Sequence, residues 1–156
     1  MTTGLSALVA EHPLLADLPG DAVEQVAGCA RNIVWRTGEL LVSEGEQADT
    51  FYLVRRGRVA VEVHGPGSGR LVVDILGPGD AVGWSWLFPP YRWHFDVRAT
   101  EPVGAVAVDA ACLRAKAEAD PAFGYELMKR VGAVILDRLQ GTRIRLLDLY
   151  GRDDRR

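Results

Sequence analysis

The sequence predicts an α+β fold in which helical ends flank a closed or sandwich-like antiparallel β structure. Three observations carry this: helical spacing of apolar residues up to Ala30, short β-rich runs punctuated by glycine from Asn32 to Asp109, and helical spacing again to about Leu149. The 156-residue length fits a single domain, residues 1–156, and 48% apolar with 25% charged residues is an ordinary globular composition.

Taken in order, Leu5, Leu8 and Val9 recur at helical spacing, and Pro19-Gly20-Asp21 starts a second run with Val23, Val26 and Ala27 on one face. Two short helices over residues 4–30 follow. The runs NIVWRTG, ELLVSEG, DTFYLVRRG, RVAVEVHG and RLVVDILGPG then read as strands of a β region over 31–109. Alternation at Val59, Val61 and Val63, and at Phe51 and Leu53, predicts strands with one buried face. The GPGSG connector at 65–69 predicts a hairpin, and DVRATEPVGAVAVD supplies two further strands around Glu101-Pro102.

Helical residues return over 109–149. Asp109 caps a short helix through Ala119, and Asp120-Pro121 places aspartate at the N-cap and proline at the first position of the last helix. Met128, Val131, Ile135, Leu139, Thr142, Leu146 and Leu149 form a near-heptad stripe, with Leu127, Val134, Leu136, Ile144 and Leu147 widening the apolar surface. One face is expected on the domain itself and another on a second copy, giving a homodimer through this helix.

The net charge of −3 hides an asymmetry: from Lys129 onward eight basic residues stand against four acidic ones. Such a basic end suits a helix C-terminus as well as an acidic partner, and no nucleic-acid motif accompanies it. Cys29 and Cys112, in VAGCA and DAACL, have no metal-ligand spacing and are expected as small core residues without a disulfide. No apolar run is long enough for a membrane span, and MTTGLSALVAEHP lacks signal-peptide character, so a cytoplasmic location is expected. His12, His64 and His94 make no HxH or HxxxE pattern, and neither a GxSxG elbow nor a phosphate loop is present. The chain is therefore read as a binding domain, not an enzyme.

The joint order of Thr37-Gly38-Glu39, Glu44-Gly45, Ala48-Asp49, Phe51-Tyr52-Leu53-Val54, Gly57-Arg58-Val59 and Gly77-Pro78-Gly79-Asp80 leading to Gly83 resembles the cyclic-nucleotide-binding domain of the catabolite-activator and fumarate–nitrate regulator superfamily. The resemblance spans roughly Leu14 to Leu149 and implies an antiparallel β-roll, a double-stranded jelly roll, with N-terminal helices and a long C-terminal dimerisation helix. It implies a ligand as well, cyclic AMP or cyclic GMP, and a phosphate-binding cassette over 77–99. In that family a short helix aims N–H groups at the phosphate, an acidic residue holds the ribose and an arginine pairs with the phosphate. Carried over, the backbone of Gly79, Asp80, Ala81, Val82, Gly83 and Trp84 forms the cassette, and Asp80 takes the ribose. The family's Arg-Ser pair falls on Trp93-His94, so the in-register arginine is absent, and Arg92, one residue earlier, reaches the phosphate only if the loop through Pro89-Pro90 turns it inward. Thr142 matches the threonine with which the family's dimer helix reaches the base.

The stretch GWSWLFPPYRWHF, with three of the four tryptophans, leaves three readings open. Its aromatics fill the roll in place of a ligand, or line a modified nucleotide pocket with Arg92 and His94, or form an exposed anchor for a protein partner. The first and third describe a ligand-free adaptor; the second describes a sensor acting on a partner protein. The seven residues after Leu149 are too few for a DNA-recognition helix, so direct DNA binding is not expected.

Overall fold

The computed structural model describes residues 3–67 and 69–153; Ser68 of the glycine-rich connector and the basic Arg155 and Arg156 lie outside the described residues. The chain opens with α1 (Thr3–Glu11), a 3-10 turn (Pro13–Leu15) and α2 (Gly20–Ala27). Eight strands follow: β1 (Ala30–Trp35), β2 (Leu40–Val42), β3 (Thr50–Arg56), β4 (Val59–Gly65), β5 (Gly69–Leu76), β6 (Ala81–Val82), β7 (Asp96–Ala99) and β8 (Val103–Asp109). It closes with α3 (Ala110–Ala119) and α4 (Pro121–Asp153). The strands make two antiparallel four-stranded sheets, ordered β1-β8-β3-β6 and β2-β7-β4-β5, the double-stranded roll that the family resemblance implies. The hairpin between β4 and β5 closes with Gly65 opposite Gly69.

Strict alternation fails in the first sheet. Phe51, Tyr52, Leu53 and Val54 are all buried in β3, as are Val103 through Val108 in β8. The inner face meets the second sheet, and the outer face is roofed by helices: α1 and α2 touch β1, and α3 touches β8. A strand covered on both sides reads as a continuous apolar run. β5 is the opposite case, an edge strand with Leu71, Val72, Val73 and Ile75 exposed, where α4 reaches it through Arg145.

Both C-terminal helices start where aspartate predicts. The Asp109 carboxylate accepts the Cys112 N–H at 2.8 Å, and the Asp120 carboxylate accepts the Phe123 N–H at 3.3 Å. On α4 the face that packs is Phe123, Leu127 and Val131, with Ile135 partly buried; Val131 and Ile135 belong to the near-heptad stripe, whose first member, Met128, is exposed. Helix–sheet packing at a 3.6-residue period selects that face and leaves Leu136, Leu139, Ile144 and Leu147 facing outward.

The two cysteines are joined, contrary to expectation. Cys29 and Cys112 form a disulfide with Cα atoms 5.7 Å apart across 83 residues of chain. Topology causes the meeting: β1 is antiparallel to β8 with Ala30 opposite Val108, and the Asp109 N–H donates to the Cys29 carbonyl at 2.8 Å. The residue preceding the first strand therefore sits against the first turn of the helix that follows the last strand. Among the described residues no helix is long and apolar enough to cross a membrane.

Candidate functional site

The segment between β6 and β7 is not a helix. It runs as consecutive turns, with the Leu87 N–H donating to the Trp84 carbonyl and the Tyr91 N–H to the Phe88 carbonyl, the second turn containing a cis Pro89–Pro90 bond. The expected row of helical N–H groups facing a phosphate is absent from these described residues. Three polar devices pin the segment instead. Arg114 of α3 donates to the Trp86 carbonyl and lays its guanidinium 4.0 Å from the Tyr91 ring centroid. Trp93 exchanges backbone hydrogen bonds with Gly45 and Glu46 of the β2–β3 connection. Arg92 donates from Nη1 to the Gly45 carbonyl at 3.0 Å.

The tryptophans divide. Trp86 is 1% exposed and stacks on Phe51 of β3, ring centroids 4.2 Å apart and planes 11° from parallel. Trp93 is 4% exposed, and its ring lies over Gly83, whose φ of +70° and lack of a side chain make room for it. A Cβ at Gly83 would collide with that indole. Trp84 is half-buried and faces a cavity of about 510 Å³ between the second sheet and α4. The remaining walls are Val61, Val72, Val73, Asp74 and Phe95 from the roll and Arg138, Thr142, Arg145, Leu146 and Leu149 from α4.

Of the sequence candidates, only Trp84 and Thr142 line this cavity. Thr142 Oγ1 donates to the Arg138 carbonyl one helical turn back. Ala81 and Val82 are buried strand residues pairing with Leu53 and Tyr52. Gly79 takes φ +93° in the turn before β6, where the Asp80 carboxylate accepts the Gly77 N–H at 2.8 Å. Asp80 thus stabilises its own turn, and Gly79, Asp80 and Ala81 border a second cleft of about 330 Å³, against Leu14, Arg130, Asp137 and the other side of Arg138. Arg92 and His94 are exposed, and Trp93, at the family's arginine register, places an indole where a guanidinium is expected.

Two charged groups escaped the sequence reading. Arg138 donates from Nη2 to the Ala81 carbonyl and sits 5.4 Å from the Trp84 ring centroid. Burial lowers its pKa from the ordinary guanidinium value, with Asp80, Asp74 and Asp137 opposing the shift at longer range. Arg145 donates to the Val73 carbonyl, and its Nη2 lies 3.4 Å from Asp74 Oδ1. The signal was legible: residues 138, 142, 145 and 149 recur at intervals of 4, 3 and 4, one face of a helix. Below the cavity, buried His12 accepts the Leu14 N–H at Nδ1, which places the proton on Nε2, 3.3 Å from the Asp80 carbonyl. Desolvation lowers the His12 pKa below 6.5. Among the described residues no group of His, Cys, Asp or Glu is arranged to hold a metal ion.

Two packed antiparallel sheets with N-terminal helices and a long C-terminal helix lying beside the second sheet define the double-stranded roll class of domain. The sequence pattern of the cyclic nucleotide-binding domain matches residues 33–120, more than half of the chain, and the protein belongs to that family. Among solved structures, a Geobacter metallireducens protein provisionally assigned to cyclic-nucleotide binding is 28% identical, with a TM-score of 0.77 over 86% of this chain and 97% of that one. A cyclic nucleotide-binding domain from Methylobacillus flagellatus is 18% identical, with a TM-score of 0.79 over 94% of this chain and 83% of that one. The Thermus thermophilus catabolite activator protein shares the fold at 21% identity and a TM-score of 0.70, over 88% of this chain and 63% of its own. No curated protein matches the chain by sequence.

Proposed function

We propose that the chain is a regulatory sensor that takes a cyclic nucleotide or a related small ligand into the cavity between the roll and α4, and passes occupancy to a partner through that helix. The carrying observation is the cavity: about 510 Å³, within the range of small-molecule sites, with Trp84 of the cassette segment on one wall and Thr142 of α4 on the other. A ligand touching both walls has a different free energy with α4 docked and undocked, which is the requirement for a conformational signal. The exposed Leu139, Ile144 and Leu147 of α4 support a homodimer through the same helix, and the partner protein acts on the assembled face. Direct DNA binding and catalysis form no part of this reading.

A second reading has its own observation. Trp93 fills the phosphate arginine's register and Trp86 is locked on Phe51, which favours a roll stabilised by side chains and used as a protein-interaction adaptor. Thermal melts with tryptophan fluorescence, titrated with cyclic AMP, cyclic GMP and the linear nucleotides, separate the two, because a ligand that binds only the native state raises the melting temperature by mass action. A rise with any of these probes supports the sensor; a flat response to all of them supports the adaptor.

A further inference from the structure

We infer that the cavity's ligand is an amphiphilic anion with a planar apolar body, and that its acidic group is received by Arg138 of α4, with the body lying on Trp84 and Phe95 of the roll. This deepens the sensor reading and rests on the cavity being a ligand site. The charge balance of the walls carries it. Two guanidiniums, Arg138 and Arg145, and one carboxylate, Asp74, line the cavity; Arg145 engages that carboxylate at 3.4 Å, while Asp80 and Asp137 stand in the adjoining cleft on the other side of Arg138. Among the described residues no carboxylate lies within 4.0 Å of Arg138. One described hydrogen bond, to the Ala81 carbonyl, leaves most of the guanidinium's donors free.

Arg138 is half-buried with no described carboxylate within ion-pair distance, so its free donors are open to an anion, and the planar donor fork suits a carboxylate, sulfonate or phosphate. The facing wall has the opposite character. Trp84, Phe95, Val61 and Val72 offer aromatic and aliphatic surface, and the cassette contributes no cation there because Trp93 is packed on Gly83 and Arg92 points to the Gly45 carbonyl. Charge is therefore read by the helix and shape by the roll.

The test uses 8-anilinonaphthalene-1-sulfonate and its uncharged relative N-phenyl-1-naphthylamine, two fluorescent probes that share a body and differ in the acid. They are titrated into the wild type, Arg138→Met, Arg138→Lys and Arg92→Ala, with cyclic AMP run in parallel. Loss of a charge-assisted pair predicts sulfonate binding weaker by about ten- to a hundred-fold in Arg138→Met, with N-phenyl-1-naphthylamine unchanged and Arg92→Ala like the wild type. Arg138→Lys keeps the charge and loses the fork, so an intermediate weakening is expected. If Arg138→Met gives no cooperative melt, Arg138→Lys decides alone. Unchanged sulfonate affinity at position 138, or equal loss of both probes in a folded variant, overturns the inference. A cyclic AMP response abolished by Arg92→Ala and kept by Arg138→Met overturns it too and leaves the nucleotide reading standing. No cyclic AMP response with Arg138-dependent sulfonate binding does the reverse.

Discussion

Breaking the Cys29–Cys112 bond should lower stability by several kcal/mol without unfolding the roll. The bond closes a loop of 83 residues, and the loop-closure relation for a loop of that length gives about 4.5 kcal/mol at 25 °C. For a domain of this size each kcal/mol is worth about 2–4 °C, so the melting temperature should fall by about 9–18 °C. The fold should persist because the contact it clamps is held independently: β1 and β8 pair in continuous register from Ala30 opposite Val108 to Trp35 opposite Val103. The assay compares melts of the oxidised protein, the protein in reductant with its thiols counted by mass spectrometry, and the Cys29→Ala/Cys112→Ala double variant. Reductant isolates the cross-link, and the double variant adds the loss of two buried sulfurs. Superimposable melts for oxidised and fully reduced protein would refute the loop-entropy reasoning. Thiols found free in protein isolated without oxidant would mean that the bond forms only outside a reducing cytoplasm.

Gly83→Ala meets two obstacles, a φ of +70° and the Trp93 ring, and should destabilise by about 2–4 kcal/mol in denaturant titration; a change below 1 kcal/mol would mean the indole does not rest there. Trp86→Ala removes a fully buried indole stacked on Phe51 and should cost about 3–5 kcal/mol, with loss of near-ultraviolet ellipticity as a second readout. Arg92→Ala, an exposed side chain with one carbonyl partner, should stay within about 0.5 kcal/mol of the wild type. His12 is held neutral, so the unfolded chain takes up its proton near pH 6.5 while the folded chain does not until the pH is lower. Its contribution is complete above about pH 6.5 and is lost as pH falls below that, and His12→Gln should flatten the slope of stability against pH there; an unchanged slope contradicts the assignment.

The glycines made the roll legible, because each corner of a tight double sheet needs a residue free to turn, and Gly38, Gly45, Gly57, Gly79 and Gly83 all take positive φ. Helix starts were equally readable, since an aspartate before a helix acts locally. What sequence could not supply was whatever depends on distant pairing. The disulfide exists because the first and last strands are neighbours, and nothing near Cys29 in the chain announces Cys112. Period-2 reasoning failed in β3 and β8 because it cannot see which strands lie beneath helices. In the site, counting from the family's pattern puts Trp93 at the family's arginine position, but the counting was confined to the cassette. The cations that face the cavity stand on α4, more than forty residues later in the chain, and only Thr142 of that wall was picked out.

Receipt of the ligand's acid by α4, and not by the cassette, as proposed, bears on how the domain would signal. A cation fixed in the cassette would hold an anion whether or not α4 is in place, so much of the binding free energy would be common to both helix positions and shift neither. Arg138 and Arg145 travel with the helix. Every interaction an anion makes with them is lost when α4 leaves the roll, and by linkage that whole interaction favours the docked state. Seating α4 sets the Arg138 guanidinium beside Trp84 and on the Ala81 carbonyl. An anionic ligand would add a charge-assisted bond to that guanidinium in the docked state alone. A modest affinity is thereby enough for a large population shift, provided the acid and the aromatic body are on the same molecule.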